Sequence, residues 1–210
     1  MEQQNFRSDS KSLVLAHFTF HCTPPRILSS KISKNYEIIA KICEFLYYFG
    51  MKKTNAMRIL DNLKIPYETA GYDDDGEHEL SRGAAEKTAE KLGIDPQTVF
   101  KTIVMRTDTK EICVFLQSAM NEINLKKARN AAGCKELAPV KPDELLSLTG
   151  YVRGGCSPLG MRRKYRTFFD ETILLCDKVY ISAGVRGEQL VIKPQDLVKA
   201  CNATVLDLTL

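Results

Sequence analysis

The residues that could do chemistry are gathered most densely in the run Gly150-Tyr151-Val152-Arg153-Gly154-Gly155-Cys156-Ser157-Pro158-Leu159-Gly160-Met161-Arg162-Arg163-Lys164. Glycine lets the backbone take a positive φ and lets a ligand come close to the main chain. Pro158 fixes its own φ and biases Ser157 towards an extended conformation. A loop of this composition offers bare N–H groups that can cradle a phosphate or stabilise an oxyanion. Composition alone also allows a plainer reading, a glycine-rich turn between two strands. Arg162, Arg163, Lys164 and Arg166 follow directly. They form either a solvated face or a grip on a nucleic-acid backbone, where most contacts go to phosphate.

Nucleophilic hydrolysis needs a base beside the nucleophile, most often histidine. Only His17, His21 and His78 are available, two near the N-terminus and one in an acidic turn, so a Ser-His-Asp or Cys-His arrangement is not expected. Cys156 sits inside the glycine loop, but without a histidine partner it reads as a buried, inert thiol. Lys101 stands at the start of the apolar run Val99-Phe100-Lys101-Thr102-Ile103-Val104. A lysine there is either solvated at a strand edge or aimed into a site. In a site it can polarise a carbonyl or hold a phosphate without help from histidine. Asp73-Asp74-Asp75-Gly76-Glu77 lacks the alternating oxygen ligands and distant closing Glu of a calcium loop, so no metal site is expected.

These residues need elements to position them. The chain has 210 residues, 44% hydrophobic and 27% charged, which suits a folded domain with or without an appendage. The net charge of +4 is compatible with an anionic partner without requiring one. Seven widely spaced cysteines with no Cys-x-x-Cys argue against a disulfide framework and a zinc site, and predict reduced thiols in a cytoplasmic protein. No apolar run is long enough to span a bilayer, and no secretory leader is expected from the first residues. Residues 1 to 50 keep no steady period until Ile38, Ile39, Ile42, Phe45, Leu46 and Phe49 recur at helical spacing. They are expected to be an appendage, either a docking helix or an over-extended start, with the working domain at 51 to 210.

From Met51 the pattern is regular. Ala56, Ile59, Leu60 and Leu63 share a helical face closed by Pro66, and Tyr67 to Tyr72 reads as a strand. Ser81 is expected to cap a helix running to Leu92, stopped by Gly93. Asp95-Pro96 fits an N-cap followed by proline. Phe100 to Arg106 and Ile112 to Gln117 read as strands joined by a turn at 107–110. Asn124 caps a basic helix to Ala132, stopped by Gly133, and Pro142 opens another ending near Leu148. Thr167 to Phe169, Val179 to Ser182 and Leu190 to Ile192 are short strands. Pro194 opens a last helix to Cys201, and Ala203 to Leu208 is a closing strand. Helices and strands interleave without a strict βαβ repeat, which predicts an α/β domain with a mixed sheet.

Phe100-Lys101-Thr102, then Thr149 to Gly160, then Ser182-Ala183-Gly184-Val185-Arg186-Gly187 stand in an order and at spacings that resemble the YbaK/EbsC family. These are bacterial aminoacyl-tRNA deacylases related to the editing domain of prolyl-tRNA synthetase. The resemblance covers about Met51 to Leu210, and within the family it is to the branch that removes cysteine wrongly attached to tRNA(Pro). It implies a single domain with a mixed, strongly curved sheet flanked by helices. It also implies that Lys101 and Gly154 are catalytic, with the Gly154 N–H facing the ester carbonyl. Tyr72, Thr102, Gly155, Ser157, Pro158, Ser182 and Gln189 would form the substrate pocket, Gln189 standing where many relatives carry a carboxylate. The tRNA end would lie across Arg162, Arg163 and Lys164.

The family mechanism implied is substrate-assisted. The thiol of the bound cysteine attacks its own ester, with no cofactor, metal or enzyme nucleophile. The expected activity is deacylation of Cys-tRNA(Pro), and of Cys-tRNA(Cys) less discriminately, in partnership with prolyl-tRNA synthetase. Two rivals stay open: an Ala- or Ser-tRNA deacylase that uses water, and a module that binds tRNA ends or nucleotides without chemistry.

Overall fold

A hairpin in the middle of the chain organises the rest. The computed structural model describes residues 53–74 and 83–210. Expectations that fall on residues 1 to 50, on Asp75 to Glu77, on His78 and on Ser81 lie outside the described residues. The elements in chain order are α1 (Asn55–Leu63), β1 (Glu68–Gly71), α2 (Ala84–Leu92), β2 (Phe100–Thr107), β3 (Ile112–Ser118), α3 (Leu125–Ala132), β4 (Leu137–Pro139), α4 (Pro142–Thr149), β5 (Arg166–Asp170), β6 (Val179–Ser182), β7 (Glu188–Ile192), α5 (Pro194–Cys201) and β8 (Thr204–Leu206). Short 3-10 turns occupy Pro96–Thr98 and Glu171–Leu175.

β2 and β3 pair antiparallel from Phe100↔Ser118 to Arg106↔Ile112. Their turn closes through Lys110 N–H donating to the Thr107 carbonyl, with Lys110 at φ 68°. β3 is the middle strand of a five-stranded sheet of order β4-β2-β3-β5-β8, and all its residues are buried. A strand flanked on both edges and covered on both faces reads as a continuous apolar run rather than an alternating one. β5 pairs parallel to β3 and to β8, so the sheet is mixed, as its sequence predicts.

The expectation of one strongly curved sheet needs correcting. β1, β7 and β6 form a separate antiparallel three-stranded sheet. Among the described residues the two sheets meet at a single parallel bridge, Val99↔Tyr180, and the ladder does not continue into β2. Apolar packing fills the space between them. Phe100, Leu116, Phe169, Ile173, Ile181 and Leu190 join Leu60 of α1 and Leu197 of α5 in one core. On the opposite face of the large sheet, Phe115 stacks on Phe168 at 5.1 Å beneath Ala128 and Ala132 of α3. Burying each such phenylalanine contributes roughly 1.5–3 kcal/mol.

Local sequence explains most boundaries. The Asn124 side chain accepts from Lys126 and Lys127 N–H, and Gly133 closes α3 at φ 67°. Pro142 and Pro194 occupy the first turns of α4 and α5. α1 stops at Lys64, in the left-handed region, before Pro66 is reached. The start of α2 differs from expectation, because Gly83 holds the capping position and offers no side-chain bond. Asp95 accepts from Gln97 N–H, but the helix it opens is only one 3-10 turn. β4 and the Glu171–Leu175 turn are additions to the expected elements. No helix of the described residues is long and apolar enough to cross a membrane.

Candidate active site

Lys101 is the second residue of β2, opposite Gln117 of β3. Its ammonium bends over the end of β3 and donates to the carbonyls of Asn121 (2.9 Å) and Ala119 (3.3 Å). The hairpin thus supplies both the lysine and the main-chain acceptors that aim it. Around this ammonium opens a cleft of about 400 Å³. Tyr72, Lys101, Thr102, Gly154, Ser182 and Gln189, all expected site residues, line it together.

Long-range contacts draw these residues in from distant parts of the sequence. Ser182 and Gln189 are direct partners across β6 and β7, so they present one face. Tyr72 is tied to the β6–β7 turn by its N–H donating to the Gly187 carbonyl at 2.8 Å. Its ring lies 5.9 Å from the Lys91 ammonium of α2. The glycine loop is clamped onto the same turn. Arg186 Nε donates to the Arg153 carbonyl at 2.9 Å. A Cβ on Gly155 would lie 3.0 Å from the Val185 carbonyl carbon, so only glycine fits there without moving backbone. Gly154 stands beside it at φ 84°, and its N–H makes no hydrogen bond among the described residues.

The cleft wall holds polar groups that the fold leaves open. Among the described residues, the hydroxyls of Thr102 and Ser182 are buried without partners. Gln189 is 6% exposed, and its amide is neutral. A buried hydroxyl with no partner costs free energy, so its retention in a cleft suits a ligand that supplies the missing bond. Cys156 also lines the cleft. Burial pushes its thiol up to about 12, outweighing the hydrogen bond from Thr149 that acts the other way. It is therefore a neutral thiol, as its lack of a histidine partner suggests. None of the chain's histidines lies among the described residues, and no group of three metal-binding side chains occurs there.

Not every expected residue reaches the cleft. Gly155 packs on the neighbouring turn. Ser157 is fully buried, its hydroxyl accepting from Leu159 N–H. Both shape the loop rather than line the cleft. Pro158, Arg163 and Lys164 line a second cavity instead. The Arg162 side chain lies over Gly150, 3.1 Å from where a Cβ would stand.

The sequence pattern of the aminoacyl-tRNA editing domain matches residues 79–200. The chain belongs to the aminoacyl-tRNA editing family. An Enterococcus faecalis protein, named provisionally as the Cys-tRNA(Pro)/Cys-tRNA(Cys) deacylase EbsC, is 34% identical over 158 residues, covering 75% of this chain and 94% of its own length. The proline–tRNA ligase of Ligilactobacillus salivarius is 26% identical over 142 residues, 66% of this chain but 25% of the ligase. A crystal structure described, again provisionally, as a trans-editing enzyme for prolyl tRNA synthetase superposes with a TM-score of 0.63 at 23% identity. It covers 76% of this chain and 99% of that one, and it supports the fold.

The cleft is also lined by residues that the sequence motifs do not single out. Arg153, Asn121 and Glu122 line the cleft with the expected set. Asn121 acts on Lys101 through its main-chain carbonyl, so its side chain carries no signal. Arg153 could have been singled out, since it precedes Gly154 within the glycine motif. Gln117 lies opposite Lys101, fully buried, with neither amide atom bonded among the described residues. The lone glutamine in Ile112-Cys113-Val114-Phe115-Leu116-Gln117 is its trace in the sequence.

Proposed function

We propose that this editing domain is a deacylase that removes cysteine from Cys-tRNA(Pro), and less discriminately from Cys-tRNA(Cys). The observation that carries the reading is the convergence of Lys101, the Gly154 N–H and the hydroxyls of Thr102 and Ser182, the last three unbonded among the described residues, in one cleft whose described thiol, Cys156, is neutral. Such a site holds and polarises an ester but offers no ionised thiol of its own to attack it.

In the proposed reaction the substrate supplies the nucleophile. The cysteine thiol adds to its own ester carbonyl, and the Gly154 N–H stabilises the oxyanion that forms. Collapse breaks the bond to the ribose oxygen, which takes the thiol proton. The products are a cyclic thiolactone and a free tRNA hydroxyl. Holding thiol and carbonyl in a reactive pose supplies the rest of the acceleration. Lys101 orients the terminal ribose or phosphate, and Gln189 receives the amino acid without adding charge. Cysteine is close to proline in size, which a synthetase pocket discriminates poorly, so a second hydrolytic sieve beside prolyl-tRNA synthetase is the natural setting.

Deacylation of preformed Cys-tRNA(Pro), Ala-tRNA(Pro) and Pro-tRNA(Pro) by wild type and Lys101→Ala tests this. Rapid loss of cysteine alone, slowed about a hundredfold by the substitution, is expected. Loss of alanine as well would replace the self-attacking thiol with a water mechanism. No turnover with tRNA still bound would leave a binding module.

A further inference from the structure

The second cavity has the chemistry of a single-strand nucleic-acid site, and nothing in the cleft chemistry requires it. It measures about 780 Å³ and lies between α1, the basic end of the glycine loop and the end of α5. Among the described residues its lining contains no aspartate or glutamate. Arg163 and Lys164 are exposed on it, and among the described residues no carboxylate pairs with either. Arg166 contrasts with them, lying 3.6 Å from Glu111 and donating to the carbonyls of Ala131 and Ala132. The rest of the wall mixes apolar and aromatic side chains with the polar Asn62, Thr167, Asn202 and Thr204. Leu63 is 50% exposed there, and Tyr165 is held by its hydroxyl donating to the Leu148 carbonyl at 2.8 Å.

We propose that this cavity seats the unpaired nucleotides just upstream of the aminoacylated 3′ end, with Arg163 and Lys164 on their phosphates and Tyr165 and Leu63 against a base. The inference rests on the deacylase reading for what occupies the cleft. A cationic rim over an aromatic wall is how proteins hold single strands with little sequence preference. The glycine loop fixes the spacing. Gly154 lines the cleft and Pro158 lines the cavity, so the two sites share one loop. Four residues span at most about 14 Å. A stacked strand advances ~3.4 Å per nucleotide, so the separation of these two lining residues is no more than the length of about four nucleotides. Arg162 is left out of this site, because its side chain is laid over Gly150 instead.

The test is fluorescence anisotropy with the full chain across a salt series. The probes are an uncharged tRNA transcript and the same transcript trimmed of its unpaired 3′ nucleotides. Arg163→Ala/Lys164→Ala is expected to weaken binding of intact tRNA about tenfold at low salt. It should flatten the plot of log affinity against log salt by about 1.4, two contacts at ~0.7 each. Both effects should disappear on the trimmed transcript. Lys126→Ala/Lys135→Ala, exposed on other elements, removes the same charge and should change neither quantity. Equal weakening by both double variants would reduce the effect to net charge and overturn the site. So would equal weakening on both transcripts, or none on either, the last leaving the cavity to another partner such as an acidic peptide. Because no turnover is measured, tRNA binding that behaves as expected without any deacylation would sink the proposed function and leave this site standing.

Discussion

Lys101 takes its position from two main-chain carbonyls, those of Ala119 and Asn121, and this separates what can be mutated from what acts. Lys101→Ala removes the ammonium and should lower single-turnover deacylation about a hundredfold, the usual loss for one transition-state donor. Asn121→Ala keeps the carbonyl and should lower the rate by less than about threefold, within the range of a surface change. A second prediction concerns Cys156. With its thiol at about 12, roughly one molecule in ten thousand carries the thiolate at pH 8. Iodoacetamide at that pH should leave Cys156 unmodified by mass spectrometry. Cys156→Ala should keep turnover within a few-fold, and a rate that collapses would revive an enzyme nucleophile. At this scale the sequence was most legible where a residue broke its surroundings. A lysine in an apolar strand and a glycine-proline loop both announce themselves. The Asn121 carbonyl does not, because main-chain chemistry is the same under any side chain.

The elements converge through the contact between the glycine loop and the β6–β7 turn, and Gly155 is its tightest point. In Gly155→Ala the new methyl would meet Val185 and Arg186 backbone at 3.0–3.2 Å. Overpacking against backbone costs roughly 1–3 kcal/mol, to be read as a lower midpoint in urea. The same shift would move Gly154 away from Lys101, so deacylation should fall further than stability alone explains. Turnover at wild-type level in a stable Gly155→Ala protein would mean that the two loops do not set the cleft. Helix ends were legible because caps are local, and Asn124, Gly133, Pro142 and Pro194 each act on their own turn. Sheet partition was not. Whether β6 continues the ladder beside β2 depends on residues about eighty positions apart, and among the described residues only Val99 and Tyr180 make the bridge. β4 was hidden for a related reason, since three residues ending in proline carry too little pattern to read as a strand.

For the molecule as a whole, buried thiols set how stability responds to alkali. Burial pushes Cys113 up to about 11 and Cys156 up to about 12, from an ordinary value near 9. Cys201 is raised in the same direction, also by burial. Between pH 9 and those values the unfolded chain has lost protons that the folded chain still holds. The unfolded state then binds fewer protons, so unfolding becomes easier as pH rises. The stabilisation is complete below about pH 9 and is lost as pH climbs through the folded values. Each thiol steepens the decline by up to about 1.4 kcal/mol per pH unit. Urea unfolding at pH 8, 9 and 10 should show a free energy that holds between the first two and drops between the last two. Cys113→Ala separates this linkage from packing. Losing the buried sulfur lowers stability at every pH, whereas losing the titrating group makes the alkaline slope shallower. A variant with a lower free energy and an unchanged slope would mean that Cys113 ionises in the folded protein as it does in the unfolded chain, and that its burial against Phe115 and Ala128 is looser than the packing indicates.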